Sequence, residues 1–444
     1  MRTDPEFGQR LLDLAMRGGA DLAEVFQKAS RLLTVEAKGG EVEAVETAVT
    51  FGYGLRVIRD GRLGFSYSNE KGEMERVAQA ALESAGFTER DDSLGLPPTE
   101  GHGAPEVHDP AVAGISEEEA SDRAKAVESA ALSEDSRVRK VRKASASFFS
   151  NDTLIMNSRG VAAGYPSTFC SAHVTVAAEE GDDSQMGWDY GGGRFLSDVS
   201  FEAVGKGAAR RAADLLGAKK ITATRADVVL DSLIATEFLS VLASMLSSEA
   251  VQKGKSLLRG RVGEKVMSEI LNITDDGLLP RGPGTRHVDD EGVPARRTPL
   301  VEEGVLRGFI YNTSTANREG GVSTGNAIRA GFAAVPGVGP TNLFIDSPSE
   351  KLSRGDMLSS LERGLYIMEA MGIHTANPIS GEFSVGVSGL WIENGKVKAP
   401  VKEAVLSGNM LDFFGRVRAV GDDLRFLGSV GSPTLLIGPA EISA

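Results

Sequence analysis

Cysteine is almost missing from this sequence. Cys170 is the only one among 444 residues, so no intrachain disulfide can form and no zinc site can draw two thiolates from this chain. Positive charge is also short: 48 Lys and Arg against 62 Asp and Glu leave a net charge of −14. Affinity for nucleic acid rests on neutralising phosphates, so this balance argues against a nucleic-acid partner. Histidine occurs five times, at His102, His108, His173, His287 and His374, and no two stand four apart on one helix face. Each reads as a loop or packing histidine. No apolar run approaches the roughly 20 residues that cross a bilayer. The first twenty residues mix charges with Leu11, Leu12, Leu14 and Met16 and lack the uninterrupted apolar core of a signal peptide. A cytoplasmic protein without a membrane partner is the expectation.

What is present is ordinary for a folded protein, with 41% hydrophobic and 25% charged residues over a length that holds two or three domains. An amphipathic first helix precedes strands expected at 23–37, 41–49, 51–59 and 62–68. Gly39-Gly40 and Asp60-Gly61 separate them and allow the positive φ of tight hairpins. Residues 71–87 return to a helical period. Four prolines between 89 and 114 mark a connection. Ser116, with Glu119 three residues on, signals a helix to about Leu132. Strands are expected next at 137–149, 152–157, 161–179 and 184–190, with turns read at Asn151-Asp152 and Ser158-Arg159-Gly160, and a helix at 200–216 closes the block. From Ala223 the character changes: a strand at 226–231, a helix, then glycine-punctuated strands with hairpins at Glu303-Gly304 and Asn394-Gly395 and one further helix at about 355–371. The fold class is α+β, with an N-terminal half of two subdomains (1–88 and 116–222, joined by a linker at 89–115) and a β-rich C-terminal domain (223–444) built around a central helix.

That helix organises the chain. In 232–258, Ile234, Phe238, Val241, Leu242 and Met245 recur at three- and four-residue steps, which predicts one buried stripe. Its last turn reads Ser248-Glu249-Ala250-Val251-Gln252-Lys253-Gly254. Glu249 and Lys253, four apart with the acid first, are expected to form a helix-surface pair. A Ser248 nucleophile with Lys253 as base would need a widened turn, because five residues separate the two side chains by about 140°. Elsewhere, Asp289-Asp290-Glu291-Gly292 and Asp275-Asp276-Gly277 gather carboxylates without the spacing of a calcium loop, and both read as solvated turns. The glycine-rich 331–339 lacks the Lys-Ser/Thr of a phosphate loop, so nucleotide binding is not expected.

Several stretches, in order along most of the chain, are similar to the TldD/TldE (PmbA) family, long called modulators of DNA gyrase. They include Gly52-Tyr53-Gly54-Leu55-Arg56-Val57 with Asp60 to Gly64, Asn157-Ser158-Arg159-Gly160, Asp289 to Gly292 and Thr324-Gly325-Asn326-Ala327-Ile328-Arg329. Pro340-Thr341-Asn342-Leu343, Asn377 to Lys396 and Ser407-Gly408-Asn409 continue the series. The 248–253 segment resembles the His-Glu-x-x-x-His stretch of the TldD half with both histidines replaced. The resemblance implies a cytosolic peptidase assembled from two homologous subunits. In such an assembly the TldD type binds zinc through two histidines and a C-terminal cysteine, and the TldE/PmbA type lacks those ligands. This chain has Ser248 and Lys253 at the histidine positions and no cysteine in Gly428 to Pro433, where the third ligand is expected. Glu249 alone remains.

The resemblance thus implies a non-metal-binding subunit of a heteromeric zinc metalloprotease that degrades or processes unfolded, extended peptides. It assigns no metal and no confident catalytic residue to this chain, zinc to a TldD-type partner, and allows a homodimer when that partner is absent. Two alternatives remain open: an autonomous hydrolase using Ser248, Glu249 or Lys253, and a non-proteolytic module that binds peptides at an open sheet edge.

Overall fold

The computed structural model describes residues 2–443 of an α+β protein. Its N-terminal half is built on one six-stranded antiparallel sheet in the order β3-β2-β1-β4-β5-β6. The strands are β1 (Leu22–Lys38), β2 (Glu41–Arg59), β3 (Arg62–Ser68), β4 (Val138–Asn157), β5 (Ala162–Glu180) and β6 (Asp183–Gly193). The two blocks expected as subdomains thus give three strands each to a shared sheet, joined where β1 runs antiparallel to β4 from Glu24↔Asn157 to Ala37↔Ala144. Each three-strand meander is bracketed by helices, α1 (Pro5–Arg17) and α2 (Met74–Ala85) for the first, α4 (Glu117–Glu134) and α5 (Phe201–Asp214) for the second. The one-turn α3 (Pro110–Ala113) lies in the proline-rich connection. The hairpins fall where glycine permits them, with Gly39 and Gly40 at φ 65° and 79° and Asp60 and Gly61 at 53° and 71°. The start of α4 is the expected capping box of Ser116 and Glu119.

Strand alternation gives the sheet two different faces. Odd-numbered β1 residues, from Ala23 and Val25 to Leu33 and Val35, join the cores beneath the four long helices. Even-numbered ones face the C-terminal half, where Phe26 packs with Ile155, Val161, Ala163 and Val288.

In the C-terminal half, β7 (Thr224–Leu230) lies in a six-stranded sheet with Arg363–Met371, Glu382–Glu393, Lys396–Asn409, Val417–Val420 and Leu435–Ser443. Pairing of Lys396–Asn409 with Leu435–Ser443 closes it into a barrel. A second six-stranded sheet contains Asn272–Asp276 and Val430–Ser432. Helix α6 (Ser232–Met245) shares one core with both sheets and buries ten of its fourteen residues, a face wider than the expected stripe; Glu237, Ser240, Val241 and Ser244 form the open side, so Val241, expected inside, is only partly buried. Phe238 stacks edge-on against Phe383 at 5.3 Å on one side, and Thr236 Oγ1 accepts from Ser432 N at 2.9 Å on another.

Three local expectations are corrected. Asn151-Asp152 is not a turn: β4 runs through it, and the two polar side chains are used across the sheet, Asn151 Oδ1 by Ser30 Oγ at 2.8 Å and Asp152 Oδ2 by Thr3 N at 3.0 Å. The helix at 355–371 is a short one, Arg354–Ser359, followed by the strand Arg363–Met371, whose Leu365 and Ile367 enter one core while Tyr366 and Met368 enter another. The acidic stretches are not solvated turns either: Asp275, Asp276, Asp289 and Glu291 are all buried. Among the described residues no helix is long and apolar enough to cross a membrane.

Candidate functional site

The turn after α6 is strapped in place before any chemistry is considered. Ile310 N donates to Leu246 O and Ser248 N to Ile310 O, each at 3.0 Å, and the chain then winds into the short helix α7 (Ser248–Gln252). Ser248 is fully buried, and its hydroxyl donates to Thr315 Oγ1 at 2.9 Å. Thr315 belongs to the helix Thr313–Arg318, capped by Asn312, whose side chain accepts from Thr315 N at 2.9 Å. Gln252 Nε2 ties α7 to the same helix through Thr315 O and Glu319 Oε1, both at 2.8 Å. Burial and the adjoining Glu319 carboxylate, which accepts from its hydroxyl at 2.8 Å, raise the pKa of Tyr311 above the usual phenol range.

Glu249 and Lys253 point the other way, to the surface, and pair at 2.5 Å as their spacing predicts. Ser248 and Lys253 therefore do not meet: the hydroxyl is spent on Thr315 and the ammonium on Glu249. The arrangement holds no nucleophile with a base beside it. The residues also do not suit zinc. A buried hydroxyl already donating, an ammonium, and a carboxylate neutralised by that ammonium offer no imidazole or thiolate donor. Gly428 to Pro433 includes the strand Val430–Ser432, which lies along α6. Among the described residues no three His, Cys, Asp or Glu side chains are grouped to hold a metal ion. His287 stacks on Tyr165 at 4.3 Å, with Nε2 3.0 Å from Pro105 O, and His173 lies against Trp188.

A buried charge network joins this region to the N-terminal sheet, and sequence reasoning missed it. Arg56 and Glu24 are cross-strand partners on the face of the sheet that looks toward the C-terminal half. Arg56 donates to both Glu24 oxygens at 3.1 and 2.7 Å, and through its remaining nitrogen to Glu291 Oε1 at 2.8 Å. The other Glu291 oxygen accepts from Thr313 N at 2.9 Å, at the start of the helix that holds Ser248. Arg329 pairs with Glu24, lies 5.0 Å above the Phe26 ring, and donates to Ala334 O at 2.8 Å. Asp289 braces the acidic turn by accepting from the backbone of Glu291, Val293 and Ala327, each at 2.9 Å. Burial and the neighbouring Glu291 charge push its carboxyl up to about 7. Arg56, Glu291 and Arg329 each sit in a stretch that carried the family resemblance, and that was the only available signal.

Loop 329–336 completes the wall. It carries Phe332 onto the glycine track of β2, where a methyl group added at Gly52 would stand 2.3 Å from the Phe332 ring. The ring of Tyr67 is 6.3 Å away. The short strand Gly337–Val338 then passes beside Glu249.

Comparisons with known proteins cover the chain almost end to end. Family models match at residues 23–85 (PmbA/TldA metallopeptidase domain 1), 110–216 (central domain) and 223–444 (C-terminal domain). A relative from Escherichia coli O157:H7, metalloprotease PmbA, is 29% identical over 437 residues, 97% of this chain and 94% of its own. The crystal structure of a Thermotoga maritima protein, described as a candidate modulator of a DNA gyrase, superposes with a TM-score of 0.91 at 28% identity, covering 99% of this chain and 100% of that one. TldE from Thermococcus kodakarensis shares the fold, with a TM-score of 0.91 at 20% identity and the same coverage.

Proposed function

The chain belongs to the PmbA/TldD/TldE metallopeptidase family, and from that premise we propose that it is the non-metal-binding, TldE/PmbA-type subunit of a heteromeric zinc peptidase acting on extended peptides. The observation that carries this reading is the state of the degenerate motif: Ser248 is buried against Thr315 and Lys253 covers Glu249, so the position that would activate water is occupied by groups that cannot hold a cation. On this reading zinc belongs to a homologous TldD-type partner in the cytoplasm. This chain contributes rigid walls to a shared chamber: the loop carrying Phe332, the strand beside Glu249 and the helix Thr313–Arg318. The same separation of Ser248 from Lys253 weighs against an autonomous hydrolase.

The test is reconstitution. Purified alone, the chain is expected to contain no stoichiometric zinc and to leave an unstructured peptide intact; mixed with a TldD-type partner it should form a complex whose peptidase activity depends on zinc and exceeds that of the partner alone. Full activity from this chain by itself, or bound zinc at one per chain, defeats the proposal.

A further inference from the structure

A small cavity lies between the end of α5, the helix Arg354–Ser359 and the barrel strands Arg363–Met371 and Glu382–Glu393, and the proposed function leaves it unused. It measures about 290 Å³, near the lower end of small-molecule sites, which run from about 300 to 1,000 Å³. Its floor is largely apolar. Tyr366 and Leu390 are cross-strand partners, and both, like Met368, are less than a tenth exposed. Leu358, one turn along from Arg354 on the same helix face, adds to the wall.

Seven charged groups surround this cavity, and five of them have close partners. Arg211 pairs with Asp231, Arg425 Nη2 with Asp189 Oδ1 at 2.6 Å, and Arg210 turns away to Glu134 at 2.6 Å. The second Asp231 oxygen accepts from the Tyr366 hydroxyl at 2.6 Å. Arg354 and Asp214 are left over. Arg354 donates to the Tyr366 oxygen at 3.2 Å and stands 3.9 Å from Asp231, which Arg211 already answers. Asp214, the last residue of α5, makes no ion pair or side-chain hydrogen bond among the described residues; partial burial pushes its carboxyl above the ordinary value, and the charges of Arg137, Arg354 and Arg210 offset that only in part. Arg354 and Asp214 thus sit on different walls, near enough to feel each other's charge but beyond the roughly 4 Å of an ion pair.

We propose that this cavity binds a free α-amino acid with an apolar side chain, its carboxylate on Arg354, its ammonium on Asp214 and its side chain against Leu358, Met368 and Leu390. A cation and an anion that are both unanswered, and too far apart to answer each other, are complementary to a molecule that carries the two opposite charges a few bonds apart. Both contacts are charge-assisted hydrogen bonds, the stronger kind. A simple carboxylate would satisfy Arg354 and face the Asp214 charge, and a simple amine would do the reverse. With Arg210 committed to Glu134, three guanidiniums and three carboxylates remain around the cavity, so a zwitterion of no net charge keeps the balance. The apolar floor then selects among amino acids by side chain, because covering it removes apolar surface from water. The inference rests on the cavity alone and does not depend on the zinc-subunit reading.

Isothermal titration of the full chain with L-leucine at neutral pH tests the proposal, and saturable one-to-one binding is expected. Isovalerate and isoamylamine, which keep the branched chain but only one of the two charges, should each bind at least about tenfold more weakly, since either leaves one polar group of the site unanswered. Glycine, which leaves the floor uncovered, should be weaker by a similar factor of about ten. Asp214→Asn and Arg354→Gln change side chains at the open rim, so the circular dichroism spectrum and the ligand-free unfolding midpoint should stay as in the wild type while the affinity for leucine falls on the order of tenfold in each. No binding by about 10 mM leucine, isovalerate or isoamylamine bound as tightly as leucine, or an unchanged affinity in either variant overturns the proposal; none of these outcomes bears on whether a TldD-type partner binds.

Discussion

Arg56 and Glu291 stand 235 residues apart in sequence and 2.8 Å apart in space, and their pairing fastens the N-terminal sheet to the C-terminal half. Glu24 holds the other side of the same guanidinium and also pairs with Arg329, so Arg56 is the cation shared by two fully buried carboxylates. Replacing Arg56 by alanine leaves Glu291 without its cation and Glu24 with Arg329 alone, and removing one partner of such a buried pair costs about 3–5 kcal/mol. A urea titration of Arg56→Ala should show a loss of that size. Arg56→Lys, which keeps the charge but not the two-sided fork, should lose less. A shift below about 1 kcal/mol in Arg56→Ala would mean that the network does not hold the halves together.

Gly52 offers a second test of the same contact surface. A methyl group there meets the Phe332 ring at 2.3 Å, so the ring must leave the strand or the strand must bend. Overpacking of this kind costs about 1–3 kcal/mol. Gly52→Ala should lower the unfolding midpoint and make the backbone around Phe332 exchange hydrogen faster, while Gly52→Ala combined with Phe332→Ala should recover part of the loss because the obstacle is gone. Additive losses in the double variant would show that the two residues do not touch.

The hairpins and the capping box were legible because their causes are local. Gly39-Gly40, Asp60-Gly61 and the Ser116 to Glu119 box each act within four residues, and the chain folds as they dictate. The burial of Asp289 and Glu291 was not legible, because an acidic turn looks solvated until its partners arrive, and those partners, Arg56 and the backbone of Thr313 and Ala327, come from other parts of the chain. The segment 363–371 failed for a related reason. Leu365 to Met368 is a continuous apolar run, which periodicity alone cannot assign, and its position between β7 and Glu382–Glu393 in the barrel makes it a strand. At the candidate site, the sequence resolved which residues stand in the degenerate motif and the Glu249–Lys253 pair. It could not reveal that Ser248 faces inward to Thr315.

The three motif positions should respond unequally to alanine. Ser248→Ala removes a buried hydrogen bond and leaves the Thr315 and Asn312 side chains to rearrange, a loss of about 0.5–1.5 kcal/mol. Glu249→Ala and Lys253→Ala break only an exposed pair, with effects within about 0.5 kcal/mol. Restoring an imidazole with Ser248→His should cost more than Ser248→Ala, because the larger ring must displace Thr315 from a filled site. Thermal or denaturant melts of the four variants check the order, and an inverted order would mean that Ser248 is not the inward-facing, structural member of the three.

Glu237, on α6, predicts a pH dependence of stability. It makes no ion pair or side-chain hydrogen bond among the described residues, and burial alone pushes its carboxyl from an ordinary 4.5 up to about 7. A carboxyl whose pKa is raised by folding binds its proton more tightly in the folded chain, so the stability it contributes is complete below about pH 4.5 and is lost as the pH rises through about 7. Glu237→Gln removes that dependence. Because the side chain is partly open to water, the expected gain over wild type is about 1–2 kcal/mol at alkaline pH, less than the full shift implies. The gain should shrink to nearly nothing in mild acid, where the wild-type carboxyl is already neutral. Urea titrations of both proteins at about pH 8 and about pH 4 separate this from a packing effect, since a gain of equal size at both pH values would have to come from the shape of the side chain and not from its charge.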